Sequence, residues 1–309
     1  MLGRVTNQTA AMAASRGLQA NAARLAQLQS QASSQKAITV PSDDPTATGQ
    51  SLQVRAEQTQ NAQYTRNATD AEGWLSTTDS ALSNTTNILN RIRDLTVQGA
   101  NDGTMSATSR EAIATELTGL KSDLLAAANT QFQGRSIFAG TSDAGVAFSP
   151  ETTTTDPSTG VVTTVPPAFT GTTGSTVQRR VGDSTTVAVD TDGSKVFGTG
   201  SDSVFSMIDG IVSDLRSGVN VNPQIAKIDS RLDTVRGAWA GVGTRQAQVE
   251  RTQDTLASAS TSLENQRSSV EDIDLGQVIL KLQTQNVSYQ AALAVTAKVI
   301  QPTLMDFLK

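Results

Sequence analysis

Residues 225–270 read IAKIDSRLDTVRGAWAGVGTRQAQVERTQDTLASASTSLENQRSSV, and their apolar spacing decides the fold. Alternating steps of three and four from Ile225 land on Ile228, Leu232, Val235, Trp239, Val242, Gln246, Val249, Gln253, Leu256, Ser260, Leu263, Arg267 and Val270. Most of these positions are apolar, which predicts one long coiled-coil-like helix and argues against a strand or loop. So narrow a seam buries too little to order a long helix alone, so it needs partner helices.

Those partners lie upstream. Ala71, Leu75, Leu82, Leu89 and Ile92 form a helical stripe with Thr78 and Thr85 between them, and Asn101-Asp102-Gly103 stops that helix. A third helix is expected near Ser109, because Thr108-Ser109-Arg110-Glu111 has capping-box spacing. Ile113, Leu117, Leu120, Leu124 and Ala127 then follow at helical steps, giving an antiparallel helical hairpin. A shorter helix carries Val204, Phe205, Ile208, Val212 and Leu215, with Ser201 or Asp202 as its expected cap. The fold class is mainly α: an elongated helical bundle or coiled coil built from the N- and C-terminal halves, with a small β-rich insert.

Both ends are helical and thinly apolar. A first helix from about Val5 to Lys36 places Leu18, Leu25 and Leu28 on one stripe. The last forty residues set Ile279, Leu282, Tyr289, Leu293, Ile300 and Phe307 on a heptad seam, with Leu304 alongside. Residues 1–42 hold Arg4, Arg16, Arg24 and Lys36 and no acid. Pro41-Ser42-Asp43-Asp44-Pro45 interrupts the first helix, with Pro45 suited to the first turn of the next and Asp44 to its N-cap.

Between residues 140 and 200 the texture changes. Sixteen of the residues from 141 to 200 are Thr, and Leu and Ile are absent, so little apolar material is left for a separate core. Val161–Val165 and Thr185–Val189 read as strands, and Asp192-Gly193 as a hairpin turn before Lys195-Val196-Phe197. The expected domains are 1–40 with 270–309, 41–140 with 200–269, and 141–199.

Composition narrows the chemistry. The 309 residues contain no cysteine and no histidine, which removes disulfides, thiolate nucleophiles and the commonest acid–base group. A net charge of −5 disfavours nucleic acid as a partner. No run of 18 apolar residues and no leader-like apolar segment is present, so neither membrane insertion nor a cleaved signal peptide is expected. Ser33-Ser34-Gln35-Lys36 has Ser-x-x-Lys spacing without its partner motif. Gly198-Thr199-Gly200 and Asp190-Thr191-Asp192-Gly193 read as a linker and a turn, not as phosphate or calcium loops. Asp43 and Asp44 read as helix-capping groups, and Trp74 and Trp239 as packing residues. No catalytic, cofactor or metal constellation stands out, and the expected role is not enzymatic.

Three segments carry a resemblance. Pro41-Ser42-Asp43-Asp44-Pro45 with Leu52 and Arg55, Gly134-Arg135-Ser136-Ile137-Phe138-Ala139-Gly140-Thr141, and Leu282 to Lys309 with Tyr289-Gln290-Ala291-Ala292-Leu293 and Leu304-Met305-Asp306-Phe307-Leu308 resemble the flagellar hook–filament junction proteins of hook-associated protein 3 type, in the flagellin superfamily. Filament flagellins are the nearest alternative. They show Asp-Asp-Ala-Ala-Gly where this chain has Asp43-Asp44-Pro45-Thr46-Ala47, which favours the junction type. The resemblance implies an extracellular structural adaptor, exported through the flagellar type III apparatus without a cleaved signal peptide. Its implied partners are copies of itself, a neighbouring hook-associated protein, flagellin and an export chaperone. A different class, a coiled-coil adhesin or phage tail component, would instead bind through residues 141–199.

Overall fold

The computed structural model describes residues 7–101, 105–155 and 162–300. The expected Val5, Asp102, Gly103, Val161, Leu304 and Phe307 positions, and the side chain of Ile300, lie outside the described residues. Seven α-helices dominate: α1 (Asn7–Ser34), α2 (Pro45–Ala100), α3 (Ala107–Ala128), α4 (Gly193–Phe197), α5 (Val204–Ser217), α6 (Asn222–Glu271) and α7 (Leu275–Ile300). Three antiparallel strand pairs complete the described fold: β1 (Gln131–Phe132) with β2 (Arg135–Ser136), β3 (Thr152–Thr155) with β4 (Val162–Val165), and β5 (Gln178–Arg180) with β6 (Thr186–Ala188). The chain divides into two compact units, Met1–Gln60 with Ala259–Lys309, and Asn61–Ser258. The division falls well inside α2 and α6, not at the breaks near residues 40 and 270, and residues 141–199 share a unit with α3 and α5.

The larger unit is built on the seams read from spacing. Ala71, Leu75, Leu82, Leu89 and Ile92 of α2, Ile113, Leu117 and Leu124 of α3, and Ile228, Leu232, Val235, Val242, Val249 and Leu256 of α6 join one buried cluster. Thr78 and Thr85 sit in that seam because each hydroxyl donates to the carbonyl four residues earlier, Trp74 O at 2.9 Å and Ala81 O at 2.8 Å. Trp74 is buried, and Trp239 is half-buried with its indole donating to Asp79 at 2.5 Å.

Three local expectations need correction. The α3 cap is Ser106, whose hydroxyl accepts from Ser109 N at 3.1 Å, so Thr108 and Ser109 already lie inside the helix. Glu111 therefore makes no capping box and pairs with Arg216 of α5. Residues Ser201 and Asp202 form a 3₁₀ turn, and Ser203 caps α5 by accepting from Ser206 N. Asp192-Gly193 is not a hairpin turn but the start of α4, with Asp192 accepting from Ser194 N at 3.0 Å. Gly193 is required there because a Cβ would lie 2.7 Å from Phe138 O, to which its own N–H donates.

The insert has no separate core. Phe148 packs edge-on against Phe205 of α5 and Phe197 of α4, with ring centroids 5.3 and 5.5 Å apart, and tilts against Phe169. Arg245 of α6 pins the same segment by donating to Ala188 O, Asp190 O and Thr191 Oγ1. Lys121 of α3 is buried and pairs with Asp209 of α5 at 2.6 Å and with Glu151 at the base of β3. Burial lowers the proton affinity of that ammonium, but the two carboxylates outweigh it and raise it above the ordinary lysine value. Both tryptophans lie in this unit, so indole fluorescence reports on it alone. Phe148→Ala should cost about 3–5 kcal/mol in urea unfolding followed at the indoles. Thr153→Ala, on the exposed face of β3, should stay within about 0.5 kcal/mol.

Candidate assembly surface at the paired termini

The smaller unit pairs α1 with α7 and closes them at a polar root. The α1 residues that face inward are Ala11, Ala14, Leu18, Asn21, Leu25, Leu28 and Ala32, all half-buried and spaced by alternating threes and fours. On α7 the inward positions are Val278, Leu282, Gln285, Tyr289, Ala292 and Thr296, with Val278 and Thr296 buried. Gln285 donates to both the carbonyl and the side-chain oxygen of Asn21 at 3.2 Å, a polar pair inside the seam. Leu18, Leu25, Leu28, Leu282 and Tyr289 therefore belong to this seam.

Ile279 and Leu293 do not. They are 41 % and 42 % exposed. The heptad steps drawn from Ile279 follow the apolar residues of α7, whereas the α1-facing side is made partly of Gln, Ala and Thr. More apolar residues lie on α7 than one helix partner can cover. Leu280, Val287 and Val295 are 65 %, 66 % and 60 % exposed.

At the root the chain leaves α1 through Gln35, in the left-handed region at φ 57°, and Lys36 bridges Asp272 in antiparallel fashion. Ala37 N donates to Glu271 O at 2.7 Å. The Pro41–Pro45 motif then folds around its two carboxylates. Asp43 accepts from Thr39 N, Thr39 Oγ1 and Val40 N, which holds it below the usual carboxylate range, the Thr39 hydroxyl first. Asp44 accepts from Thr46 N at 3.0 Å and Ala47 N at 2.9 Å and so caps α2, with Pro45 as its first residue. Pro41 and Ser42 are exposed.

The central group is one that sequence reasoning missed. Glu271, at the end of α6, is only 3 % exposed. Arg55 grips it bidentately with one guanidinium edge, Nε to Oε1 at 2.7 Å and Nη2 to Oε2 at 2.8 Å. Ser51 donates to it at 2.5 Å, and Lys36 and Arg267 approach Oε2 at 3.4 and 3.5 Å. The Arg55 bond is the main reason the Glu271 carboxyl is pulled down to about 2, against an opposing effect of burial. Arg55 stood in the family-like motif, but its partner lies 216 residues away and leaves no local trace. The arrangement fixes geometry and offers no reactive pair. Among the described residues, no group of three or more carboxylates gathers as a metal site would need.

The depressed Glu271 group contributes stability that is complete above its unfolded value near 4.5 and fades as pH falls towards about 2. Glu271→Gln should remove that acid dependence from the root. It should also speed hydrogen exchange of the Ala37 amide about a hundredfold at neutral pH, the equivalent of losing about 3 kcal/mol from a broken buried pair.

Comparison with known proteins agrees with this anatomy. The bacterial flagellin N-terminal helical region matches residues 5–143, and the flagellin C-terminal helical region matches residues 225–308. Flagellar hook-associated protein 3 of Salmonella typhimurium is 29% identical over 303 residues, spanning 89% of this chain and 90% of that protein. The Escherichia coli protein of the same name is 38% identical over 122 residues, 39% of this chain and 38% of the relative. A flagellar hook-associated protein structure from Vibrio parahaemolyticus superposes with a TM-score of 0.64 at 21% identity, covering 74% of this chain and all of that one. The two matched regions take in α1, α2, α3, α7 and nearly all of α6, and the chain belongs to the flagellin family, with similarity to hook-associated protein 3 along most of its length.

Proposed function

We propose that this chain is a structural adaptor of the bacterial flagellum that joins hook to filament through its terminal helices. The observation that carries the reading is the uncovered apolar surface of α7, in a chain similar along nearly its whole length to hook-associated protein 3. A large exposed apolar surface on a helix marks an interaction site. Pro45, where flagellins carry alanine, supports the junction type over a filament subunit.

In this reading the helix pair is half of a larger layer. Its internal seam is thin, with Ala, Asn, Gln and Thr at many facing positions, so the pair opens readily in the free subunit and closes on docking. Such segments pass a narrow export route unfolded. The neighbours are copies of the chain, a hook-associated protein on one side and flagellin on the other, with an export chaperone holding the termini beforehand. The assembled protein lies outside the cell.

Two measurements test this. Limited proteolysis of the purified subunit should cut residues 1–35 and 275–309 well before 61–258; equal resistance would contradict the proposed opening. Leu293→Asp places a charge on the exposed side of α7 and should leave helicity and melting unchanged while abolishing assembly. Cells carrying it should show hooks without filaments in electron micrographs, and normal filaments would overturn the adaptor role.

A further inference from the structure

A groove of about 520 Å³ lies between the start of α5 and the first turns of α6, inside the larger unit. Lys227, Ser230, Arg231 and Thr234 line it from α6, and their spacing of three and four puts them on one helix face. Met207 and Gly210 line it from α5. Gly210 sits midway along that helix, where glycine weakens a helix relative to alanine. Packing does not demand it, because a Cβ there would meet nothing nearer than Gln224 Nε2 at 3.9 Å. A larger side chain at position 210 would instead fill the groove.

Arg231 is the unusual group on this lining. It is half-buried and donates Nη1 to Lys195 O at 3.2 Å and to Val196 O at 3.3 Å, and Nη2 to Asp202 O at 2.7 Å. Main-chain carbonyls satisfy those N–H groups without neutralising the charge, and Nε–H has no partner among the described residues. The acids close to it in sequence are engaged elsewhere, Asp229 with Arg93 and Asp233 with Arg236. Among the described residues no carboxylate lies within ion-pair distance of Arg231 or of Lys227 one helical turn away. Burial lowers the proton affinity of the guanidinium, and the charge of Asp202, also on the lining, offsets only part of that effect. Two cations against one carboxylate leave the groove net positive, in a chain whose net charge is −5.

We propose that this groove binds a small acidic sugar, its carboxylate held by Lys227 and Arg231 and its hydroxyls by Ser201, Ser206 and Ser230. An anion has what Arg231 lacks, a countercharge in a place where water is partly excluded. The volume suits a small organic molecule and exceeds what a bare inorganic anion fills. Hydroxyls supply most of the remaining polar lining, which favours a polyhydroxylated ligand, and Met207 offers an apolar contact for its C–H face. The site lies wholly in α5, α6 and the turn before α5, so it is independent of how the terminal helices associate.

Calorimetric titration of the full-length protein with glucuronate, N-acetylneuraminate, neutral glucose and inorganic phosphate tests this. At least one of the two sugar acids should bind one-to-one, about tenfold more tightly than glucose or phosphate, and its advantage over glucose should shrink as salt rises. In the isotope-labelled chain the amides of Gly210, Ala226 and Lys227 should shift when that acid is added. Lys227→Glu sets a carboxylate one turn from Arg231 in the ligand's stead and should weaken binding about tenfold. Gly210→Leu should abolish binding by filling the groove, and neither variant should lower the melting temperature. No saturable binding of either acid would overturn the proposal. So would glucose or phosphate binding as tightly as the acids, or undiminished binding by Lys227→Glu.

Discussion

One buried carboxylate sets the geometry on which the smaller unit depends. Glu271 gathers Ser51, Arg55 and Lys36, which lie 220, 216 and 235 residues away in sequence. Desolvating such a group costs several kcal/mol, and the bidentate arginine and the serine hydroxyl repay that cost by satisfying its oxygens. The node is therefore a locating device more than a source of bulk stability. It fixes the end of α6 against the start of α2, and with Ala37 it fixes where the chain leaves α1. Everything in the 37–44 loop, including the orientation of Asp43, follows from that anchoring.

Long-range periodicity was the most legible signal in the sequence, because a stripe such as Ile228 to Leu256 repeats one physical requirement many times. Local signals were legible only where a single residue could satisfy them. Asp44 before Pro45 left one candidate for the cap. At the start of α3, however, Ser106, Thr108 and Ser109 were all competent, and Ile113 is buried whichever of them begins the helix. Asp192-Gly193 carries turn chemistry, yet what selects glycine there is the approach of the Phe138 carbonyl, a tertiary fact. Glu271 and Arg55 were invisible as a pair for the same reason.

The Thr-rich insert shows what composition says about packing and what it leaves out. Absence of Leu and Ile pointed to too little apolar material for a separate core, and the insert has none. Its few aromatic residues are concentrated where they matter: Phe148 touches rings from α4, α5 and the 166–170 segment. The insert borrows its core from α5, so removing residues 141–199 would strip Phe205 of its neighbours. Deletion of the whole segment is therefore a poor probe of surface binding, and substitutions on the exposed threonines of β3 are a better one.

The sequence reading put Leu282 and Tyr289 on the face of α7 that meets α1, but it also drew in Ile279 and Leu293, which are exposed, and the difference is informative. A helix in a finished two-helix contact carries one apolar stripe. Here the seam against α1 is diluted with Gln, Ala and Thr, while Leu280, Val287 and Val295 are held on the far side. Shifting those residues onto the seam would close the pair and leave nothing for a neighbour. An apolar stripe alone would also invite indiscriminate pairing of identical helices. Both helices carry cations and no acid, so two identical pairs brought together would also set like charge against like charge. Weak internal closure and a second apolar face together leave the helix pair with a side that the described chain does not itself cover.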